Sequence, residues 1–72
     1  MLFRSIEKVR TLIQQMPPDY REIILLREYE EMSYEEMAEA LGITLEAVRS
    51  RLARARAWLR LRLAPYVQEE EH

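Results

Sequence analysis

The sequence predicts an all-α fold, with residues 1–72 forming a single domain of four compactly packed helices that contains a helix-turn-helix and no winged elements. Three observations support this. Apolar residues recur at three- and four-residue steps along most of the chain, which is the period of a helix buried on one face. No segment alternates apolar and polar as a half-buried strand does. The punctuating residues Pro17, Pro18, Gly42 and Pro65 stand between the periodic segments, where helices start and stop.

In the first segment, Ile6, Val9, Ile13 and Met16 share one face, so a helix is expected over about 3–16. Pro17-Pro18 ends it, because the residue before a proline is pushed out of helical space. Proline is tolerated in a first turn, and Asp19 and Glu22 suit the positive end of a helix dipole. A second helix over about 18–30 then buries Ile23 and Leu26, with Tyr20 and Ile24 beside them. Ser33 and Glu36 have capping-box spacing, so a third helix starts at Tyr34 and runs over about 34–41 with Met37, Ala38 and Leu41 inward. Gly42 supplies the left-handed stop. Thr44 is a good N-cap for a fourth helix over about 45–63, which Pro65 is expected to close before an acidic tail, 65–72.

Composition excludes several functions. At 49% hydrophobic and 33% charged, the chain fits a folded domain and not a disordered tail. Cysteine is absent, which excludes disulfides and thiolate metal sites, and the only histidine, His72, cannot build a metal site by itself. The glutamates Glu28, Glu30, Glu31, Glu35 and Glu39 read as a solvated helix surface. No enzyme, metal, cofactor or small-molecule ligand is indicated. No apolar run approaches the roughly 18 residues of a membrane span, and a cytoplasmic location is the expectation.

Charge is unevenly placed. The formal net charge is −2, yet residues 44–64 hold six arginines against Glu46 alone. Both flanking stretches are acidic. Such asymmetry points to nucleic acid more than the overall balance does. Ala38, Gly42 and Val48 supply the helix-turn-helix spacing over about 34–54: a close approach, a left-handed turn and a residue packing back on the preceding helix. Each residue advances about 100° around the helix axis. Leu45, Val48, Leu52, Ala55, Leu59 and Leu63 then form a buried stripe, opposite Ala47, Ser50, Ala53, Arg54 and Ala57. Arg49, Arg56 and Arg60 border the stripe on one side, Arg51 and Arg62 on the other.

A ridge of small residues flanked by arginines suits a helix that sinks into the major groove, with guanidinium groups reaching bases or phosphates. Arg49 and Arg54 are the leading DNA contacts. The angle of Arg51 also favours a structural salt bridge. Arg56, Arg60 and Arg62 suit phosphates or pairing with the acidic N-terminal half. Trp58 is expected to cover the first helix, and the methionines to fill gaps in a small core.

The run PPDYREIILLREYEEMSYEEMAEALGITLEAVRSRLARARAWLR resembles region 4 of bacterial sigma factors, especially the extracytoplasmic-function (ECF) group. The resemblance covers about residues 12–60 and is most specific in MPPDYREIILLREY, MSYEEMAEALGI and VRSRLARARAWL. It implies recognition of the −35 element of double-stranded promoter DNA by the helix after the turn. It also implies binding to the flap of the RNA polymerase β subunit, and a module often masked by an anti-sigma protein. Arg49, Ser50, Ala53 and Arg54 match the base- and backbone-reading positions, and Tyr34 and Glu36 match positions near the DNA backbone. Arg21 and Arg27 match the border of the flap-binding and DNA-facing surface.

Two departures stand out. Glycine is frequent in the family at the position of Glu31, so a left-handed turn there would strain this chain by about 1 kcal/mol. Gly-Thr is frequent where this chain has Glu46-Ala47; Ala47 lacks a hydroxyl for a phosphate, and Glu46 either repels phosphate or accepts from a cytosine amine. Nothing here resembles the region that melts the −10 element, as expected of an isolated region 4 or a stand-alone relative. Two other readings share parts of the pattern. One is a response-regulator type of helix-turn-helix, which RSRLARARAWL fits poorly. The other is a protein-binding module that engages polymerase or an anti-sigma partner, which the net acidity favours.

Overall fold

The computed structural model describes the backbone of residues 2–70 and the side chains of residues 7–65. Four α-helices and no strand occur among the described residues: α1 (Leu2–Gln15), α2 (Pro18–Ile24), α3 (Tyr34–Leu41) and α4 (Leu45–Glu70). A five-residue π-helical turn, Leu25–Tyr29, continues α2. The side chains of Ile6, Glu69, Glu70, Glu71 and His72 lie outside the described residues.

Helix α4 is the beam on which the domain is assembled: α1, α2 and α3 all pack against it. Its 26 residues span about 39 Å at 1.5 Å per residue, close to the 42 Å long axis of the molecule. The core is small and apolar: Met16, Ile23, Ile24, Met37, Val48, Leu52 and Ala55, drawn from all four helices or their ends. Ile23, Met37, Val48 and Leu52 are essentially sealed from solvent, and each such burial contributes about 1.5–3 kcal/mol. Met16 and Met37 fill core space as the sequence predicts, while Leu26, Tyr20, Ala38 and Leu41 are half-buried around it.

The local signals operate as read. Ser33 Oγ accepts the Glu36 N–H at 3.0 Å, and Glu36 Oε1 accepts the Ser33 N–H at 2.8 Å, completing the capping box. Gly42 sits at φ 68°, ψ 36°, and the Ile43 N–H donates back to the Ala38 carbonyl at 3.0 Å. This is a Schellman-type stop that uses the glycine's freedom at positive φ. Thr44 Oγ1 accepts the Ala47 N–H at 3.0 Å and opens α4.

Two expectations are corrected. The fourth helix does not end near Leu63, because α4 continues through Pro65 to Glu70. A proline lacks the N–H that would bond the carbonyl four residues back, here that of Leu61. Leu61 is 74% exposed, so water can satisfy the orphaned carbonyl and the helix passes on. The second helix is not α-helical to residue 30. Its last turn widens: the Glu30 N–H donates to the Leu25 carbonyl and the Met32 N–H to the Leu26 carbonyl, both at 3.0 Å. Glu31 then takes φ 58°, the only non-glycine residue at positive φ among those described.

Candidate nucleic-acid interface

The interface is built where α3 and α4 meet at the Gly42 turn. Val48 and Leu52 are buried beneath it, which fixes the roll of α4 and so decides which residues face outward. Ser50, Ala53 and Arg54 are exposed along one ridge, with Arg49 exposed at its side and Glu46 exposed at its N-terminal end. Ala47 is half-buried, and its N–H is held by Thr44. Ala57, expected on the same ridge, is half-buried too, so the exposed small-residue ridge fades after about three turns.

The arginines separate into distinct groups. Arg49 and Arg54 are exposed and make no hydrogen bond, ion pair or ring contact among the described residues, which leaves their guanidinium groups available to a ligand. Arg51 is half-buried but has no ion pair among the described residues, so the salt bridge expected of it is absent. Arg56 pairs with the acidic N-terminal half, one of the two roles expected of it: its Nη2 lies 3.0 Å from Glu28 Oε2. Arg62 lies back on its own helix, 3.8 Å above the Trp58 ring, and donates weakly to the Trp58 carbonyl at 3.4 Å. Trp58 itself is half-buried against the core.

The start of α3 is held by a residue whose role the sequence did not disclose. Arg27 donates to the Met32 carbonyl at 2.8 Å and stands 5.0 Å over the Tyr34 ring. It therefore ties the π-turn, the strained Glu31 turn and the first residue of α3 into one unit. Tyr34, placed at the DNA backbone by the resemblance, is half-buried and shares this contact. Glu36 is committed to the capping box.

A second surface lies away from α3. Val9, Ile13, Leu25 and Tyr29 line an apolar groove of about 610 Å³ between α1 and the α2 extension, with Arg10 and Arg21 at its rim. Tyr29 is 81% and Leu25 41% exposed there, so the groove leaves an apolar face uncovered. Arg21 also caps α1 by donating to the Gln14 carbonyl at 3.2 Å. Among the described residues, no group of His, Cys, Asp or Glu is arranged to hold a metal ion, and no helix is long and apolar enough to cross a membrane.

A short capped helix, a left-handed glycine turn and a second helix with an arginine-flanked small-residue ridge define a helix-turn-helix domain of the DNA-binding kind. Residues 6–59 match the family model described as Sigma-70, region 4, and the chain belongs to that family. It is 41% identical over 61 residues to the RNA polymerase sigma-H factor of Pseudomonas aeruginosa, covering 85% of this chain and 32% of that protein. It is 38% identical over 61 residues to the ECF RNA polymerase sigma factor SigE of Mycolicibacterium smegmatis, covering 85% of this chain and 24% of that one. With the RNA polymerase sigma factor YlaC of Bacillus subtilis the identity is 36% over 64 residues, 89% of this chain and 37% of the relative. The chain thus spans about a quarter to a third of the length of these relatives.

Proposed function

We propose that this domain reads the −35 element of promoters with α4 and thereby helps direct RNA polymerase to transcription start sites. The observation that carries the reading is the exposed ridge of Ser50, Ala53 and Arg54 with Arg49 beside it, two guanidinium groups with no partner among the described residues on a surface small enough to enter a major groove. Membership of the Sigma-70 region 4 family supports it. In this reading Arg54 contacts base edges, Arg49 and Ser50 contact bases or the adjoining backbone, and Ala53 allows close approach. Tyr34 and Arg51 border the DNA backbone. Glu46 and Ala47, at the start of α4, tune the neighbouring position without a hydroxyl for phosphate. A cytoplasmic location accompanies this role.

The partner surface for the β-subunit flap is the apolar groove of Val9, Ile13, Leu25 and Tyr29, whose Arg10 and Arg21 rim suits a helix with acidic flanks. An anti-sigma protein would cover the same uncovered face. That groove is also the observation favouring the second reading, a helix-turn-helix that engages protein partners only.

Fluorescence anisotropy with a −35-type duplex, a scrambled duplex and the isolated flap separates the two. The promoter reading expects preference for the −35-type duplex, lost in Arg54→Ala. Flap binding without any DNA binding at low salt would leave the protein-only reading.

A further inference from the structure

The Glu28–Arg56 pair joins two elements 28 residues apart, and neither partner is buried. Their side chains are 59% and 44% exposed. An exposed pair of this kind is weak, worth at most a few-fold in an equilibrium. It is also not isolated. Arg27, Glu28, Glu31 and Arg56 together line an open polar recess of about 610 Å³, in which two positive and two negative side chains face one another. Arg27 is committed there, since it holds the Met32 carbonyl and covers the ring of Tyr34. Arg56 is not: its only partner among the described residues is the Glu28 carboxylate. It follows Arg49 by seven residues on α4. That is close to two full turns, so both project from nearly the same side of the helix, about 10 Å apart along its axis.

We propose that Glu28 is an intramolecular stand-in for a DNA phosphate, holding Arg56 in the free domain and releasing it to the sugar-phosphate backbone when α4 enters the groove. The inference rests on the promoter reading above and adds to it a phosphate site and a competitor built into the fold. Its chemistry is an exchange of one charge-assisted contact for another: the guanidinium leaves a carboxylate and meets a phosphate, with no proton transferred. The exchange weakens DNA binding by whatever the Glu28 contact is worth, but does so equally on every sequence, because a phosphate carries no sequence information. A weak grip on DNA by the isolated domain would then be partly a built-in property of Glu28.

The test is a salt titration of binding to the −35-type and scrambled duplexes with wild type, Glu28→Gln, Arg56→Gln and the double variant. Each phosphate contact contributes about −0.9 to the slope of log K against log salt. Arg56→Gln is expected to make the slope shallower by about 0.9, with equal losses on the two duplexes. Glu28→Gln is expected to tighten binding by roughly two- to five-fold on both, with the slope unchanged, and to lose most of that gain in the Arg56→Gln background. Thermal melting of the same variants supplies the structural control. An unchanged slope in Arg56→Gln, with both single variants losing the same melting temperature, would overturn the inference and make the pair a tether only. Should wild type bind neither duplex at low salt, the promoter reading fails first and takes this one with it.

Discussion

Glu31→Gly is expected to stabilise the domain, and the structure sets the size of the gain. Glu31 is held at φ 58°, where a side chain meets the following carbonyl at a cost of about 1–2 kcal/mol. Glycine removes that cost but returns roughly 0.5–1 kcal/mol through its greater freedom in the unfolded chain. Glu31 also lines the polar recess with Arg27 and Arg56 but pairs with neither among the described residues, so removing its charge costs at most a few tenths of a kcal/mol. The net gain is about 0.5 kcal/mol, or about 2–4 °C in melting temperature for a domain of this size. Thermal unfolding followed by circular dichroism reads it, with Glu31→Ala as the control that keeps the strain and removes the charge. The reasoning is refuted if the alanine variant melts at or above the glycine variant. Gly42→Ala supplies the reciprocal case. Gly42 sits at φ 68° with nothing within 4 Å of an added Cβ, so its cost is the backbone strain of about 1–2 kcal/mol, less the roughly 0.5–1 kcal/mol that alanine's smaller freedom in the unfolded chain returns.

Other outcomes follow from the same geometry. Leu52 is 1% exposed at the centre of the core, and Leu52→Ala should lose about 2–5 kcal/mol, enough to leave much of so small a domain unfolded in urea titrations where wild type is intact. Ser33→Ala removes the hydroxyl that accepts the Glu36 N–H and should cost about 1 kcal/mol, read as a lower midpoint with an unchanged denaturant slope. Arg62→Ala uncovers the Trp58 ring and should alter its intrinsic fluorescence while changing stability by less than about 1 kcal/mol.

Helix placement was legible in the sequence where a single local interaction decides it. The capping box at Ser33 and Glu36, the Gly42 stop and the Thr44 cap each depend on residues within four positions. The ridge on α4 was legible for a related reason: Val48, Leu52 and Ala55 recur at helical steps and bury completely, which forces Ser50, Ala53 and Arg54 outward. What the sequence concealed depends on contacts across the fold. The widened turn Leu25–Tyr29 goes with the left-handed Glu31 and the Arg27 clamp on Met32, a balance no periodicity records. The Glu28–Arg56 pair spans two elements, so the pattern on α4 offered Arg56 for pairing with the acidic N-terminal half but could not name Glu28 as its partner, and the salt bridge expected of Arg51 does not form among the described residues. Pro65 misled because a proline weakens a helix without always ending it: the carbonyl it orphans, beside exposed Leu61, can turn to water, and α4 continues.

The central claim, that α4 reads promoter DNA through Arg54, is tested most directly by anisotropy titration of wild type and Arg54→Ala against −35-type and scrambled duplexes at one salt concentration. Loss of a base contact is expected to cost about 1–3 kcal/mol on the −35-type duplex and far less on the scrambled one, collapsing the preference between them. Equal losses on both duplexes would contradict it and reassign Arg54 to a phosphate.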